Sequence, residues 1–246
     1  RMRFKSLVLV SVVSSFILSG CESRPSMLGV DDRVVVIESP TLSHLPDSTK
    51  IDVSLIRSDG SVQHDGIDAI NYFPYHYEIP VIEGEPVTSV SISVSVDADK
   101  VLVGENKQFS AANRQLVLQA VKGVSLRNTY WKAEDLSGRG IPPTVETTLA
   151  FNNENLLSGN AGCNLYRSVY SSASVFIEID KPILTRRRCS SPVMYHENRY
   201  LVLLTSAERF SIDEEGDLSI YVAEREKPLK FSPLTYQDAR LSMDLK

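Results

Sequence analysis

The chain of 246 residues carries 26 lysine and arginine residues against 31 aspartate and glutamate residues, a formal net charge of −5. Hydrophobic residues make up 42% of the chain, which is enough for packed cores and excludes wholesale disorder. Its length suits one large domain or two of ordinary size. Neither half of the chain is strongly basic, so we expect no nucleic-acid partner.

The two halves of the chain differ in charge. Residues 30–113 hold 14 acidic and five basic residues, whereas residues 114–246 hold 16 acidic and 17 basic residues. An acidic first half and a nearly neutral second half indicate two units with different surfaces.

The N-terminal residues have the layout of a secretory signal. Basic residues at positions 1, 3 and 5 precede an apolar run at residues 7–17, which is too short to cross a bilayer as a helix. Residues 18–21, Leu-Ser-Gly-Cys, resemble a bacterial lipobox. This resemblance implies cleavage before Cys21 and acylation, with palmitate as one chain, of its thiol and new N-terminus. The alternative is an ordinary signal peptide with an incidental cysteine.

The lipobox resemblance also predicts a location. Residues 1–20 would be the lipoprotein signal peptide and residues 21–29 a lipidated tether, held firmly because two or three acyl chains anchor better than one. Glu22 stands where an aspartate would be the usual inner-membrane retention signal. The resemblance therefore implies a lipid-anchored protein at the periplasmic face of the outer membrane.

Two cysteines remain besides Cys21, and an even number in an oxidising compartment favours a disulfide between Cys163 and Cys189. One alternative is a pair of free thiols that lie too far apart to join. Another is a zinc site that combines both thiolates with His196, although it lacks a fourth ligand. We expect no metal.

Several short strands are predicted in the first half. Ile51, Val53 and Leu55 alternate with polar residues, and valines alternate with serines along residues 89–96, so each stretch has one buried face. A further strand is expected at residues 33–37, and turn residues lie at 58–61 and 97–100. This spacing predicts a small β-sandwich over residues 30–122.

The order of these segments, together with Leu45-Pro46 and residues 74–79, resembles the YbaY/YscW family of lipoproteins over about residues 30–112. YscW-type members of that family are type III secretion pilotins or chaperones. The resemblance implies a periplasmic chaperone whose partner is a secretin or another secretion-system protein.

The second half carries a more specific pattern. A Gly-Cys-Asn-x-Tyr motif, a Thr-x-x-x-Cys motif and a helix with Met-x-x-Glu follow one another, and their order resembles the META domain of the HslJ heat-shock lipoprotein over residues 125–233. This resemblance implies an α+β domain at residues 123–234, followed by a C-terminal tail at residues 235–246. The motif residues are Gly159, Asn160, Gly162, Cys163, Asn164, Tyr166, Thr185, Cys189 and Glu197.

Local physics agrees with a tight loop and a helix at this motif. Gly159 and Gly162 permit positive φ, and asparagines at positions 160 and 164 bond neighbouring backbone groups in such loops. From residue 192 a helical periodicity places Met194, Leu201 and Leu204 on one face and Glu197 on the polar side. The predicted fold class is mainly β with a few helices: a β-sandwich domain followed by an α+β META domain.

No catalytic motif is recognisable, since a nucleophile elbow, a His-Glu-x-x-His sequence and a phosphate loop are all absent from the sequence. Glu178 and Asp180 lie two apart on a predicted strand, as an acid pair would, but a solvated strand face explains them equally well and is the interpretation we prefer. We therefore expect no enzyme, no cofactor and no small-molecule substrate.

Two surfaces are candidates for partner binding. The run Arg186, Arg187 and Arg188 suits phosphate or an acidic partner, and the alternative is a solvated loop. The aromatic segment at residues 72–77 fits either the core or a peptide-binding edge that uses β-augmentation. Its aromatic members are Tyr72, Phe73, Tyr75 and Tyr77.

The sequence thus favours an outer-membrane lipoprotein that acts as a pilotin-like chaperone for a secretin. The alternative is an HslJ-like envelope stress or structural lipoprotein with no secretion role.

Overall fold

The computed structural model describes residues 33–80, 82, 84–121 and 123–243. By its contacts, the part of the chain from residue 31 to residue 246 forms one compact unit. The predicted signal peptide, the tether and Cys21 lie outside the described residues. Residues 31–246 contain two large hydrophobic cores and one small buried cluster.

The first eight strands form a sandwich of two sheets. One sheet has three strands in the order β4-β1-β7, and the other has five in the order β3-β2-β5-β6-β8. Their bounds are β1 (Val34–Glu38), β2 (Lys50–Arg57), β3 (Val62–Ile67), β4 (Tyr75–Glu78), β5 (Val87–Val96), β6 (Asp99–Asn106), β7 (Gln115–Val117) and β8 (Gln119–Ala120).

The sandwich core follows from the alternation of its strands. Val53 on β2 lies directly opposite Ile92 on β5, and both side chains are buried. Val35 and Ile37 of β1 face them from the other sheet in the same core. Alternate residues of β1, β2 and β5 therefore enter the space between the sheets, as the sequence predicts.

The remaining nine strands form one sheet that closes on itself. The order is β11-β10-β9-β17-β16-β15-β13-β12-β14, and a further pairing of β11 with β12 joins its ends, which leaves β14 beside β12. We call this the closed sheet. Its bounds are β9 (Thr129–Leu136), β10 (Thr148–Phe151), β11 (Leu156–Asn160), β12 (Leu165–Ala173), β13 (Phe176–Ile179), β14 (Ile183–Leu184), β15 (Ala207–Ile212), β16 (Leu218–Val222) and β17 (Leu229–Pro233).

Two helices accompany the closed sheet. Helix α1 (Ser191–Leu204) runs between β14 and β15 and packs Tyr200, Leu203 and Leu204 into the second core. Helix α2 (Tyr236–Met243) follows β17, where its Ala239 is buried against Ala150 of β10. The predicted C-terminal tail at residues 235–246 thus includes a packed helix. Within the described part of the chain, neither helix has the length and hydropathy needed to cross a membrane.

The closed sheet contacts the sandwich through the β12–β13 hairpin. Phe176 of β13 is 1% exposed. Its side chain packs in the sandwich core rather than in the core of the closed sheet. Glu178, two residues along, accepts backbone N–H groups from Ser43 at 2.8 Å and His44 at 3.2 Å in the loop before β2. The prediction of a solvated face at Glu178 is therefore wrong, because its carboxylate binds the sandwich.

The predicted fold class, mainly β with a few helices, is confirmed. The expected boundary near residue 122 lies between β8, the last sandwich strand, and β9, the first strand of the closed sheet.

Candidate functional site

The predicted motif residues of the second half converge where the β11–β12 turn, the loop after β14 and helix α1 meet. Glu197 of α1 is 2% exposed, so the prediction that it lies on the polar side of the helix is wrong. One of its carboxylate oxygens accepts the backbone N–H of Asn164 at 2.6 Å, and the other accepts the Asn164 side-chain amide at 2.9 Å. A buried carboxylate without such donors would be costly, and these bonds compensate for its burial.

Asn164 connects the helix to the loop after β14. Its side-chain oxygen accepts the Thr185 hydroxyl at 2.9 Å and the Arg187 backbone N–H at 2.7 Å. Its amide also approaches the Arg187 carbonyl at 3.4 Å. The asparagine thus bonds with both its oxygen and its amide, which fixes the Thr185 side chain and the Arg187 backbone of the loop.

A disulfide closes the same junction. Cys163 is joined to Cys189 with the Cα atoms 5.9 Å apart. Both thiols are therefore in the bridge, which leaves none to form the alternative zinc site, and the described residues contain no cluster that could hold a metal ion. We call Asn164, Thr185, Glu197 and this disulfide the clasp.

The two motif glycines serve different purposes. Gly162 has φ +111°, and a Cβ there would lie 2.8 Å from the Val145 side chain. Gly159 lacks the positive φ that we expected. Glycine is required at position 159 for another reason: a Cβ there would collide with the Thr148 carbonyl on the neighbouring strand β10. Asn160 caps the turn by accepting the Gly162 N–H at 2.9 Å.

Two tyrosines link the motif to the core of the closed sheet. The hydroxyl of Tyr166 lies 2.6 Å from that of Tyr200 on α1, and it donates to the Thr148 carbonyl at 2.9 Å. Burial raises the pKa of both Tyr166 and Tyr200. Both hydroxyls are therefore protonated at neutral pH and serve as hydrogen-bonding groups.

His196 forms a second buried contact from α1. Its Nε2 lies 2.7 Å from the Thr147 hydroxyl. Burial, with the nearby Arg199, lowers the pKa of His196, so the neutral imidazole is favoured. Sequence patterns did not single out Thr147, Thr148 or Tyr200 because each is unremarkable until the fold brings it to the motif. Most members of the arrangement are buried and mutually hydrogen-bonded, which suits stabilisation of the fold better than chemistry on a substrate.

An accessible cavity lies at one end of the sandwich. It has a volume of about 540 Å³ and opens where β1 and β5 begin and where β2 and β4 end. Its lining is mostly apolar and includes Ile79, Pro80, Ile82, Val87 and Phe109. We call this cavity the sandwich pocket.

Arg57 lies beneath the sandwich pocket and is only 4% exposed. Its guanidinium donates to the Glu85 carbonyl at 2.8 Å, to the Pro80 carbonyl at 3.1 Å and to the Gln63 side-chain oxygen at 2.7 Å. Its Nε has no hydrogen-bond partner among the described residues. The arginine therefore fixes the loop that forms the pocket wall and keeps a positive charge below the apolar lining.

The aromatic segment is divided between core and surface. Tyr77 of β4 is buried, and its hydroxyl donates to Asp65, so Tyr77 is unavailable to a partner. Phe73 and Tyr75 are half-buried and pack against the sandwich core, whereas Tyr72 is 66% exposed. Of the predicted binding aromatics, only Tyr72 is fully at the surface.

The three arginines of the second half are exposed beside the clasp. Arg186, Arg187 and Arg188 lie in the loop between β14 and α1, and their side chains face solvent. They adjoin the closed sheet, whereas the aromatic segment belongs to the sandwich.

Comparison with known proteins characterises the second half of the chain. Residues 124–235 match the META domain. The chain is also similar to a solved NMR structure of a protein from Burkholderia xenovorans, with 23% identity, a TM-score of 0.39 and coverage of 45% of this chain and 84% of that one. A second NMR structure has 15% identity, a TM-score of 0.37 and coverage of 44% and 94%.

No curated protein matches the chain significantly. The match at residues 124–235 spans β9 to β17, α1 and the whole clasp. The part of the chain that forms the closed sheet therefore carries a META domain.

Proposed function

We propose that this protein is a lipid-anchored envelope protein that holds a polypeptide partner, a secretin or another secretion-system component, with its N-terminal sandwich. It has no catalytic role in this proposal. The META domain suggests an HslJ-like envelope protein, and the proposal adds a partner-binding task for the sandwich that precedes it.

The observation that carries the proposal is the sandwich pocket. A mostly apolar cavity of about 540 Å³ with the charged Arg57 below it falls in the size range of binding pockets. Apolar side chains of a partner segment would fill it. A carbonyl or carboxylate group of the same segment would be attracted by the positive charge.

The edge of the three-stranded sheet supports a polypeptide as the partner. Strand β4 pairs only with β1 among the described strands, so one of its edges is open to an added strand. The chain passes from β4 directly to Ile79 and Pro80 of the pocket lining. A partner strand added along β4 would therefore lead its next residues into the sandwich pocket.

A second candidate is an HslJ-like envelope protein without a secretion role. The META match and the hydrogen-bonded, disulfide-closed clasp favour it, because they describe a stabilised domain. This candidate gives the sandwich pocket no partner.

One experiment separates the two. The gene is deleted, or replaced by a Cys21→Ala variant, and the membranes are fractionated to follow secretin multimers. We expect multimers to be lost from the outer membrane or misplaced to the inner membrane in both strains. Normal multimers in both strains would contradict the secretion role and favour the second candidate.

A further inference from the structure

A basic surface with exposed apolar groups lies where β14 leads into α1. Residues 181–196 contain four lysine or arginine residues and no aspartate or glutamate. This surface, here called the basic edge, comprises Arg167, Ile183, Arg186, Arg187, Arg188 and Tyr195. It belongs to the closed sheet and is independent of the sandwich pocket.

The register of the strands places one apolar and one basic side chain of the basic edge next to each other. Ile183 of β14 lies directly opposite Arg167 of β12, so both side chains point to the outside of the closed sheet. Ile183 is 80% exposed, and Tyr195 in the first turns of α1 is 61% exposed. Large apolar side chains with this exposure are unfavourable in water unless something covers them.

The clasp holds the arginine loop in a fixed shape. The Asn164 side-chain oxygen accepts the Thr185 hydroxyl and the Arg187 backbone N–H, and Cys189 is tied to Cys163 one residue beyond Arg188. Arg187 takes part in these hydrogen bonds only through its backbone, so its guanidinium is not used. The guanidinium groups therefore stay outside, and little backbone entropy is lost when they bind.

We propose that the basic edge docks the META domain onto an anionic phospholipid surface. Guanidinium groups bind phosphate through paired hydrogen bonds, and isoleucine and tyrosine are side chains that enter the boundary between headgroups and acyl chains. An acidic polypeptide would satisfy the arginines. A lipid surface would also cover Ile183 and Tyr195. The predicted lipid anchor at Cys21 would keep the protein close to such a surface.

Vesicle co-sedimentation tests the proposal. The protein is a chain that begins at Glu22, because residues 31–246 form a compact unit with both cores. The vesicles are an equal mixture of phosphatidylglycerol and phosphatidylethanolamine, with phosphatidylcholine as the neutral comparison. Binding is expected on the anionic vesicles alone and should weaken as salt is added.

Two triple variants provide the matched comparison. Arg186→Gln, Arg187→Gln and Arg188→Gln together should weaken binding about a hundredfold, since each cation at an anionic surface contributes about 1 kcal/mol, or about fivefold. Lys107→Gln, Lys132→Gln and Lys230→Gln make the same change of charge at exposed positions elsewhere and should have a much smaller effect. Ile183→Ser tests the apolar contribution and should weaken binding while leaving its salt dependence intact.

Three results would overturn the proposal. The first is equal binding to neutral and anionic vesicles, and the second is equal loss in the two triple variants. The third is arginine-dependent binding to polyglutamate without binding to anionic vesicles, which would identify an acidic polypeptide as the partner. Unchanged thermal unfolding of each variant shows that the fold is intact.

Discussion

The carboxylate of Glu178 accepts the backbone N–H of Ser43 at 2.8 Å and so ties the META domain to the sandwich. The same hairpin supplies Phe176, which is a member of the sandwich core. An ion pair between Arg209 and Asp97, at 3.5 Å, crosses the same junction. The two halves therefore share core residues and hydrogen bonds, and their stabilities are coupled.

Phe176→Ala tests this coupling. Removal of a fully buried phenylalanine from the sandwich core should lower the free energy of unfolding of the whole shared transition by about 3–5 kcal/mol, although the residue belongs to the META domain. Urea unfolding followed by Trp131 fluorescence and by far-UV circular dichroism should give coincident single transitions in the wild type. Two separate transitions in the wild type, or an unchanged midpoint in the variant, would show that the halves are independent.

Glu197→Ala tests the clasp. The variant leaves the buried Asn164 N–H without its acceptor and its amide with only the Arg187 carbonyl at 3.4 Å, so we expect a loss of about 3 kcal/mol in the free energy of unfolding. Glu197→Gln keeps one acceptor and should lose less. The control is Glu154→Ala, which removes an exposed glutamate and should change stability by less than about 0.5 kcal/mol. Similar values for the two alanine variants would mean that the clasp contributes nothing.

The disulfide can be tested by its chemical linkage and by its contribution to stability. Mass spectrometry without reduction should recover Cys163 linked to Cys189. Replacement of both by serine should lower the free energy of unfolding by about 3.5 kcal/mol, because the bridge closes a loop with a sequence separation of 26. Two thiols that label fully in the folded, unreduced protein would disprove the bridge.

The lowered pKa of His196 predicts that the stability of the protein depends on pH. Its pKa is lowered by burial in the folded state, so at pH values below about 6.5 the unfolded chain binds more protons than the folded protein. The stability that depends on neutral His196 is complete above this pH and is lost as the pH falls. We expect the wild type to lose stability between pH 7 and pH 5 relative to His196→Gln in urea titrations. The prediction would be contradicted if the difference in free energy of unfolding between the wild type and His196→Gln stayed constant, or grew in favour of the wild type, as the pH falls from 7 to 5.

Local pattern was enough to predict much of the fold. The alternation at residues 89–96 predicted β5, and the helical periodicity from residue 192 predicted α1. The pairing of Cys163 with Cys189 followed from the count of cysteines and the expected compartment. These features depend on residues that are neighbours in the sequence or on composition, so they can be predicted from a single sequence.

Other features depend on contacts that no local pattern specifies. Glu197 is polar and lies beside Asn198, yet the fold places it against Asn164. Phe176 gives no sign that it packs with the sandwich. Arg57 did carry a usable signal, since it continues the inward alternation of Ile51, Val53 and Leu55 and therefore had to be buried. An arginine in phase with the core residues of a strand indicates a buried cation that needs acceptors.

The central claim, that the sandwich pocket holds a secretion-system polypeptide, is tested most directly by Ile82→Glu. Ile82 lines the pocket and is half exposed, so the substitution should leave the fold intact. Val202→Glu makes a like change on the exposed face of α1 and serves as the control. Both variants are expressed in the deletion strain, and outer-membrane secretin multimers are quantified. The account predicts normal multimers with Val202→Glu and a loss with Ile82→Glu close to that of the deletion. Normal multimers with Ile82→Glu would contradict it.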